Sequence, residues 1–460
     1  MGMKLEYNLE NIGNIDKASI TVKPLTIIAG ENSSGKTFVT KSLYTILDSI
    51  YKNHFFDTLL IKLNILNKSF IAFKDMLLEV SKKDSEFQDY FNRYLEEIKF
   101  FIIEIKECKF EKQEVITSNY LEKLYKFDNK IESYFKIKLQ SENFIEHQEL
   151  IYEILKNKKV FINLLEERIK TIIDGISSSL NIGFKKNFQI TDVKDLINKN
   201  QSKNLKLSIS NVGDIEIYNN QNIIFDFESE GINNIQNVEN IIFFDSPVYI
   251  KIRQALEKSK NSFFSILDDE NEKYLKGYPQ YLDQLYDYID KKYIDIPEFN
   301  LISQEIQEII EGKLEISNSG DINYKDKEDN SIPLSLTAMG ISNIGLIDLL
   351  IRNNIINKGS FLIMDEPEVH LHPKWQVIMA KLLYKIAKNG ANIIIATHSL
   401  DFLKAFENIL KEENEIAEDI ISINKMPYSE EFLELSELEK VGIVLDDLSK
   451  PYYDLYMQDI

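Results

Sequence analysis

Cysteine is nearly absent from this 460-residue chain, with Cys108 standing alone. An intrachain disulfide and a cysteine-rich metal site are therefore excluded, and a reducing compartment suits the chain. Positive charge is in deficit, 54 Lys and Arg against 74 Asp and Glu, for a formal net charge of -20. A field of that sign repels nucleic acid and anionic membranes, which excludes a general DNA coat. A local basic groove at Lys156-Asn157-Lys158-Lys159 or Lys185-Lys186 stays open beside the alternative of solvated helix faces. No apolar run nears the roughly 20 residues of a membrane span. The opening Met1-Gly2-Met3-Lys4-Leu5-Glu6 lacks the basic-then-apolar plan of a secretory signal. The expectation is a cytoplasmic protein with no membrane partner.

Length exceeds the usual single-domain range, so a core domain with a sizeable insertion or a second domain is expected. Hydrophobic residues at 44% and charged residues at 28% are ordinary for a soluble chain and show no composition of disorder.

The most informative stretch is Gly30-Glu31-Asn32-Ser33-Ser34-Gly35-Lys36-Thr37, which fits G-x-x-x-x-G-K-[ST]. Leu25-Thr26-Ile27-Ile28-Ala29 before it reads as a strand. Val39, Leu43, Ile46 and Ile50 after it fall on one helical face. In this context backbone N–H groups cradle a phosphate at a helix N-terminus. Lys36 is expected to reach the β- and γ-phosphates and Thr37 to ligate Mg²⁺, with Gly30 to Phe38 as the nucleotide-binding residues.

Residues 3 to 29 alternate short strand-like runs with turns and predict a small antiparallel layer leading into a parallel core. From about 52 to 200 the pattern is helical, as at Leu95, Ile98, Ile102 and Ile105 and again at Ile162, Leu165, Ile169 and Ile172. Sustained heptads are missing, which predicts a packed helical lobe and not a long coiled coil. Strands return over 204–228, followed by the apolar run Ile241 to Phe244 that ends at Asp245. A polar group at a strand tip is where α/β proteins place ligand contacts, although a plain strand-ending turn fits equally. Helical segments follow over about 251–311, then a hairpin of Lys313–Ile316 with Ile322–Tyr324 turning at Ser319 and Gly320, and a polar loop at 325–330.

Phe361-Leu362-Ile363-Met364 reads as a buried strand ending in Asp365-Glu366-Pro367. In that arrangement an aspartate joins the Mg²⁺ shell and the next acidic residue polarises the attacking water. His370 and His372, two apart and just before Pro373, have poor spacing for a metal site. They are read as part of a loop at a subunit contact beside the nucleotide. Ile393-Ile394-Ile395-Ala396 is a parallel-type strand ending in Thr397-His398-Ser399, where His398 stands in the place of a γ-phosphate sensor.

These blocks, together with Leu336-Thr337-Ala338-Met339-Gly340-Ile341 and the run Leu362 to Pro373, resemble the ABC-type ATPases of the SMC and overcoming-lysogenisation-defect groups. Within them the chain looks most like the AAA-family ATPases of bacterial antiphage systems such as Septu, PARIS and Gabija. The resemblance implies an α/β fold, an ABC/SMC-type P-loop ATPase head with a parallel core sheet, an antiparallel β layer and a large helical insertion. It implies ATP and Mg²⁺ as ligands, Asp365 in the metal shell, Glu366 as general base and His398 as switch residue. Two heads sandwich ATP in such proteins, so Ala338, Met339 and Gly340 would act in trans as a signature-like segment and Asp245 would take the lid position. Ala338 stands where a serine is usual, which implies slow turnover.

The domain plan so implied runs from the first part of the head (1–51) through the helical lobe (52–200) and the rest of the head (201–410) to a C-terminal extension (411–460). The lone cysteine excludes a zinc hook. Asp446-Asp447, with no companion glutamate strand, is read as a surface turn and not as part of a Toprim nuclease. The expected function is an ATP-hydrolysing subunit of an antiphage system, a homodimer or higher homo-oligomer that senses infection and controls a separate nuclease or toxin. The alternative is an SMC-like, DNA-binding ATPase of DNA repair or maintenance; bound DNA is not indicated by the net charge.

Overall fold

The structure is a computed structural model. It describes residues 3–80, 85–106, 108, 110–138, 148–200, 204–219, 223–245, 247–251, 253, 278–317 and 320–458. The expected turn residues Asn220 and Ser319, Ser246 after the strand tip, and residues 252 and 254–277 of the expected helical stretch lie outside those residues.

The chain forms two compact units, one of residues 1–51, 180–231 and 238–460, the other of residues 52–179 and 232–237. In the first unit, strands β1 (Leu5–Ile12) and β2 (Ile15–Val22) form a hairpin, and β3 (Leu25–Gly30) leads into the phosphate loop. β4 (Leu205–Ile209), β5 (Gly213–Ile217) and β6 (Ile223–Phe227) follow, then β7 (Ile241–Phe244). Next come β8 (Gly312–Ile316), β9 (Ile322–Asp326) and β10 (Ser331–Pro333), and finally β11 (Phe361–Asp365), β12 (Asn392–Thr397) and β13 (Ile421–Met426).

Three sheets result. The antiparallel layer has the order β2-β1-β4-β5-β6, a small antiparallel sheet runs β10-β9-β8, and the core sheet runs β13-β3-β12-β11-β7 with every pairing parallel. Sequence pattern explains the difference between layers. In β1 the alternation of Leu5, Tyr7 and Leu9 with Glu6, Asn8 and Glu10 leaves one face buried and one exposed. β3, β7, β11 and β12 are buried at every residue, as strands covered on both faces must be. Helices Lys36–Tyr51, Met339–Arg352, Pro373–Lys388 and Leu400–Glu413 supply apolar faces around this sheet.

Several boundaries differ from expectation. Residues 180–200 belong to the unit that holds the sheets, where Asn187 Nδ2 donates to the buried Thr45 hydroxyl at 3.0 Å. Residues 411–460 belong to it as well, because β13 lies beside β3 and pairs Met426 with Gly30. Asp446 and Asp447 do not form a turn; both lie in the helix Glu437–Gln458, and Asp447 pairs with Lys425 of β13. The polar loop after Tyr324 is shorter than read, since β9 runs on to Asp326 and β10 pairs with it.

The second unit is built from helices His54–Val80, Ser85–Lys106, Phe110–Lys138 and Gln148–Glu166 and the first part of Arg168–Phe188. Its core holds Phe55, Leu59, Leu66, Tyr94, Ile98, Phe101, Ile105, Leu124, Ile151, Ile154, Phe161 and Leu165, all buried. Ile169 falls outside the expected apolar face and is exposed, because the helix ends at Glu166 and restarts at Arg168. The run Lys156 to Lys159 does not make a basic groove, since Lys158 is buried against Glu132, Nζ to Oε1 3.1 Å. Among the described residues no helix is long and apolar enough to cross a membrane.

Ile394 sits in the middle of β12, fully buried between β3 and β11. Truncation to alanine leaves a cavity where the sheet is covered on both faces, so Ile394→Ala is expected to cost about 2–5 kcal/mol of stability, read by urea denaturation. A loss under about 0.5 kcal/mol, the size of an ordinary surface substitution, would contradict that placement.

Candidate active site

The core sheet ends in a row of polar residues. Parallel register sets Thr397 opposite Ala29, Asp365 opposite Ala396 and Met364 opposite Phe244, so the carboxyl ends of β3, β12, β11 and β7 lie side by side. The crevice beyond such strand ends is where open α/β sheets bind ligands. The phosphate loop leaves β3 there, with Ser33 and Gly35 at positive φ, +63° and +101°. At Gly35 an added Cβ would also stand 2.6 Å from Ile15, so both backbone and space require glycine. Asn14 Nδ2 donates to Ser33 O and anchors the loop to the β1–β2 hairpin.

Each loop residue has a defined place. Glu31, Asn32 and Ser33 are exposed, Ser34 is half-buried, and Gly30 and Gly35 are buried. Lys36 is buried with its Nζ donating to the carbonyls of Gly30 and Glu31 at 2.9 and 2.8 Å. Burial holds its ammonium below the ordinary value, while Glu366, Asp365 and Glu368 pull the other way. Thr37 is exposed, and its hydroxyl acts on the nearby Asp365 carboxylate, lowering it. The Phe38 ring packs on Phe188, centroids 5.7 Å apart, so at this position only the backbone faces the loop, Phe38 N donating to Gly35 O at 2.9 Å.

Asp365 is 8% exposed, and its Oδ1 has no hydrogen-bond partner among the described residues. Burial pushes its carboxyl up to about 6, the nearby Thr37 hydroxyl opposes this, and Asp245 raises it further. A buried carboxylate oxygen without a donor, next to a threonine hydroxyl, fits a divalent cation, which would supply the missing positive partner. Asp245 follows β7, and its Oδ2 accepts from the Tyr281 hydroxyl at 2.7 Å. Lys41, one turn beyond Thr37, lies over the Tyr281 ring at 5.7 Å and lowers Asp365.

Glu366 continues the ladder, its N donating to Ala396 O at 2.9 Å, and then turns the chain with φ +50°. That left-handed conformation is uncommon for a side-chain-bearing residue and re-aims the carboxylate from the sheet to the crevice. Glu366 Oε1 lies 3.1 Å from His398 Nδ1. Glu368, 4% exposed, accepts from Thr397 Oγ1 at 2.5 Å and from His398 N at 3.0 Å. Burial raises its carboxyl above the usual range. His372 caps the helix Pro373–Lys388, its Nδ1 accepting from Lys374 N at 3.2 Å, while His370 is exposed with φ +65°. Among the described residues no group of three or more His, Cys, Asp or Glu is arranged to hold a metal ion.

The sequence-derived residues thus divide. Lys36, Thr37, Asp365, Glu366, His398 and Asp245 come together around one crevice. Ala338, Met339 and Gly340 make no hydrogen bond to the phosphate loop among the described residues. They form the start of the helix Met339–Arg352, with Ala338 as an N-cap that offers no side-chain acceptor. Gly340 lies against the only tryptophan, and a Cβ there would stand 2.9 Å from the Trp375 indole. Sequence reasoning missed Glu368, Thr397 as its donor, Lys41 and Tyr281. Glu368 carried a signal as a second acid within a buried block, and Lys41 as an i+4 neighbour of Thr37; Tyr281 carried none.

A phosphate loop between a parallel strand and a helix, faced by an acidic pair at the end of the strand two places along the sheet, defines a P-loop ATPase. The chain belongs to the AAA ATPase domain family, whose model matches residues 3–403. No curated protein matches it. Similar solved structures include an Smc head bound to the C-terminal winged-helix domain of ScpA, at 12% identity over 87% of this chain and 90% of that one, TM-score 0.39. Another is an Smc head domain with an extended coiled coil bound to the C-terminal domain of ScpA, derived from Pyrococcus furiosus. It shows 12% identity over 88% of this chain and 92% of that one, TM-score 0.37. The SMC head domain from Thermotoga maritima shows 10% identity over 88% and 92%, TM-score 0.35.

The Asp365 environment has a consequence for stability. Its folded value of about 6 lies above the ordinary 3.8, so between those values the native state binds more protons than the unfolded one. Stability therefore falls as pH rises through that window. Asp365→Asn removes this slope and is expected to gain roughly 3 kcal/mol above about pH 7 in protein free of nucleotide and divalent cation. Urea unfolding across the window checks it, and a variant whose profile runs parallel to the unaltered protein would contradict the assignment.

Proposed function

We propose that the protein hydrolyses Mg-ATP at this crevice as an ATP-dependent dimer and serves as the ATPase subunit of a bacterial antiphage system in the cytoplasm, controlling a separate effector. The observation that supports the chemistry is the convergence of Lys36, Thr37, Asp365, Glu366 and His398, drawn from three strand ends of which the first lies more than 300 residues before the other two in sequence. The antiphage assignment rests on the sequence resemblance of the phosphate loop, the Leu362–Pro373 block and Thr397-His398-Ser399.

The roles follow from position. Backbone N–H groups of the loop and the start of the helix Lys36–Tyr51 receive the β-phosphate. Lys36, which holds two loop carbonyls, turns its ammonium to the β- and γ-oxygens. Thr37 and Asp365 would hold Mg²⁺, whose chemistry when bound is to withdraw charge from the phosphoryl oxygens. Glu366 accepts the proton of the attacking water, and His398, 3.1 Å away, orients that carboxylate and senses the γ-phosphate. The Glu366 and His398 side chains are 36% and 37% exposed, open to a second copy that brings the Ala338–Gly340 segment. With no hydroxyl at Ala338, that copy offers only backbone N–H groups and the helix dipole, and turnover is slow.

Two variants test the site. Lys36→Ala is expected to abolish ATP binding, and Glu366→Gln to keep ATP while accumulating dimer on light scattering. Unchanged hydrolysis in both would refute the site. The biological reading is tested by phage plating on cells carrying the gene with its genomic neighbour: protection should vanish with Lys36→Ala. Absence of protection, together with DNA binding that weakens steeply as salt rises, would replace it with an SMC-like role in DNA maintenance.

A further inference from the structure

The loop that carries His398 is held by the Glu368 carboxylate. Glu368 Oε1 accepts two hydrogen bonds from it, one from the Thr397 hydroxyl at 2.5 Å and one from His398 N at 3.0 Å. The same oxygen lies 3.8 Å from His398 Nδ1, which itself lies 3.1 Å from Glu366 Oε1. Thr397 Oγ1 in turn accepts from Ser399 N at 3.1 Å, and Ser399 Oγ bonds to Gln376 Oε1 at 2.5 Å. Gln376 Nε2 donates to Leu371 O at 2.9 Å, closing a ring from the end of β12 back to the block that contains Glu366. Glu368 Oε2 is buried with no partner among the described residues, so Oε1 alone carries the carboxylate's link to this loop.

A bare turn after β12 could place a histidine anywhere over several ångströms; a buried acceptor that fixes both its backbone and its neighbour's hydroxyl leaves one position. The geometry points to Glu368 as a positioning residue for ATP hydrolysis, acting through the backbone and ring of His398 to set the His398–Glu366 pair. This rests on the roles given above to Glu366 and His398. Glu368 touches no reacting atom in this scheme, and its contribution is to orientation, where a misplacement of about 1 Å costs on the order of a hundredfold in rate.

The test is ATP hydrolysis by the purified full-length chain carrying Glu368→Ala, Glu368→Gln, Thr397→Val, His398→Ala, or His398→Ala with Glu368→Ala. Glu368→Ala is expected to lower kcat by about ten- to a hundredfold with KM for ATP within about twofold, the pattern of an interaction made in the transition state. Glu368→Gln keeps an oxygen acceptor for both donors and should hold kcat within about threefold of the unaltered chain. Added to His398→Ala, the Glu368→Ala change should cost nothing further, because the two act as one unit. Should Glu368→Ala prove unfolded by thermal melting, Glu368→Gln and Thr397→Val decide: near-normal kcat in the first with a severalfold loss in the second, KM unchanged, supports the inference. Unchanged kcat in Glu368→Ala, equal damage in Glu368→Gln, or losses that add to those of His398→Ala would overturn it. Glu366→Gln runs alongside: if it still hydrolyses ATP, the site reading itself fails, whereas a dead Glu366→Gln beside a normal Glu368→Ala overturns only the positioning role.

Discussion

The parallel register of β3, β12, β11 and β7 is the constraint on which the rest of the molecule depends. Because Gly30, Thr397, Asp365 and Phe244 end their strands within a residue or two of one another, the segments that follow must share one crevice. Apolar side chains on both faces of those strands fix the register, since slippage by a single residue would turn polar strand-end groups into the core. Chemistry at the crevice is in this sense a consequence of hydrophobic burial behind it.

That arrangement carries an electrostatic cost. Asp365, Glu366 and Glu368 stand on one side of the crevice and Asp245 on another, with Lys36 the loop's own buried cation. Burial pushes Asp365 and Glu368 up and Lys36 down, so each of the three is held against its preferred charge state. Perturbed groups gathered in a cleft characterise functional sites, where stability is given up for reactivity. A ligand that brings both phosphate oxygens and a divalent cation would satisfy lysine and carboxylates together, which gives binding of the whole complex an advantage over either part.

Local chemistry was legible in the sequence and long-range pairing was not. Gly30 to Thr37 could be read because eight consecutive residues carry the whole phosphate cradle, and the block from Leu362 to Pro373 because an apolar strand runs directly into its acids. β13 escaped notice since Ile421–Met426 follows two helices and declares itself only by pairing with β3. Asp446 and Asp447 suggested a turn as an isolated acidic pair, yet they lie on a helix whose other face covers the sheet. Glu368 could be seen as acidic but not as buried, because its donors Thr397 and His398 arrive from another strand. Tyr281, which meets Asp245 from a distant helix, had no pattern to betray it.

The most direct measurement is a crystal structure of the protein grown with ATP and Mn²⁺, with the metal located by its anomalous signal. The account predicts one strong peak within about 2–2.5 Å of both the Thr37 hydroxyl and Asp365, with the γ-phosphate between Lys36 and His398. Nucleotide bound anywhere else, or a metal peak away from Asp365, would contradict it.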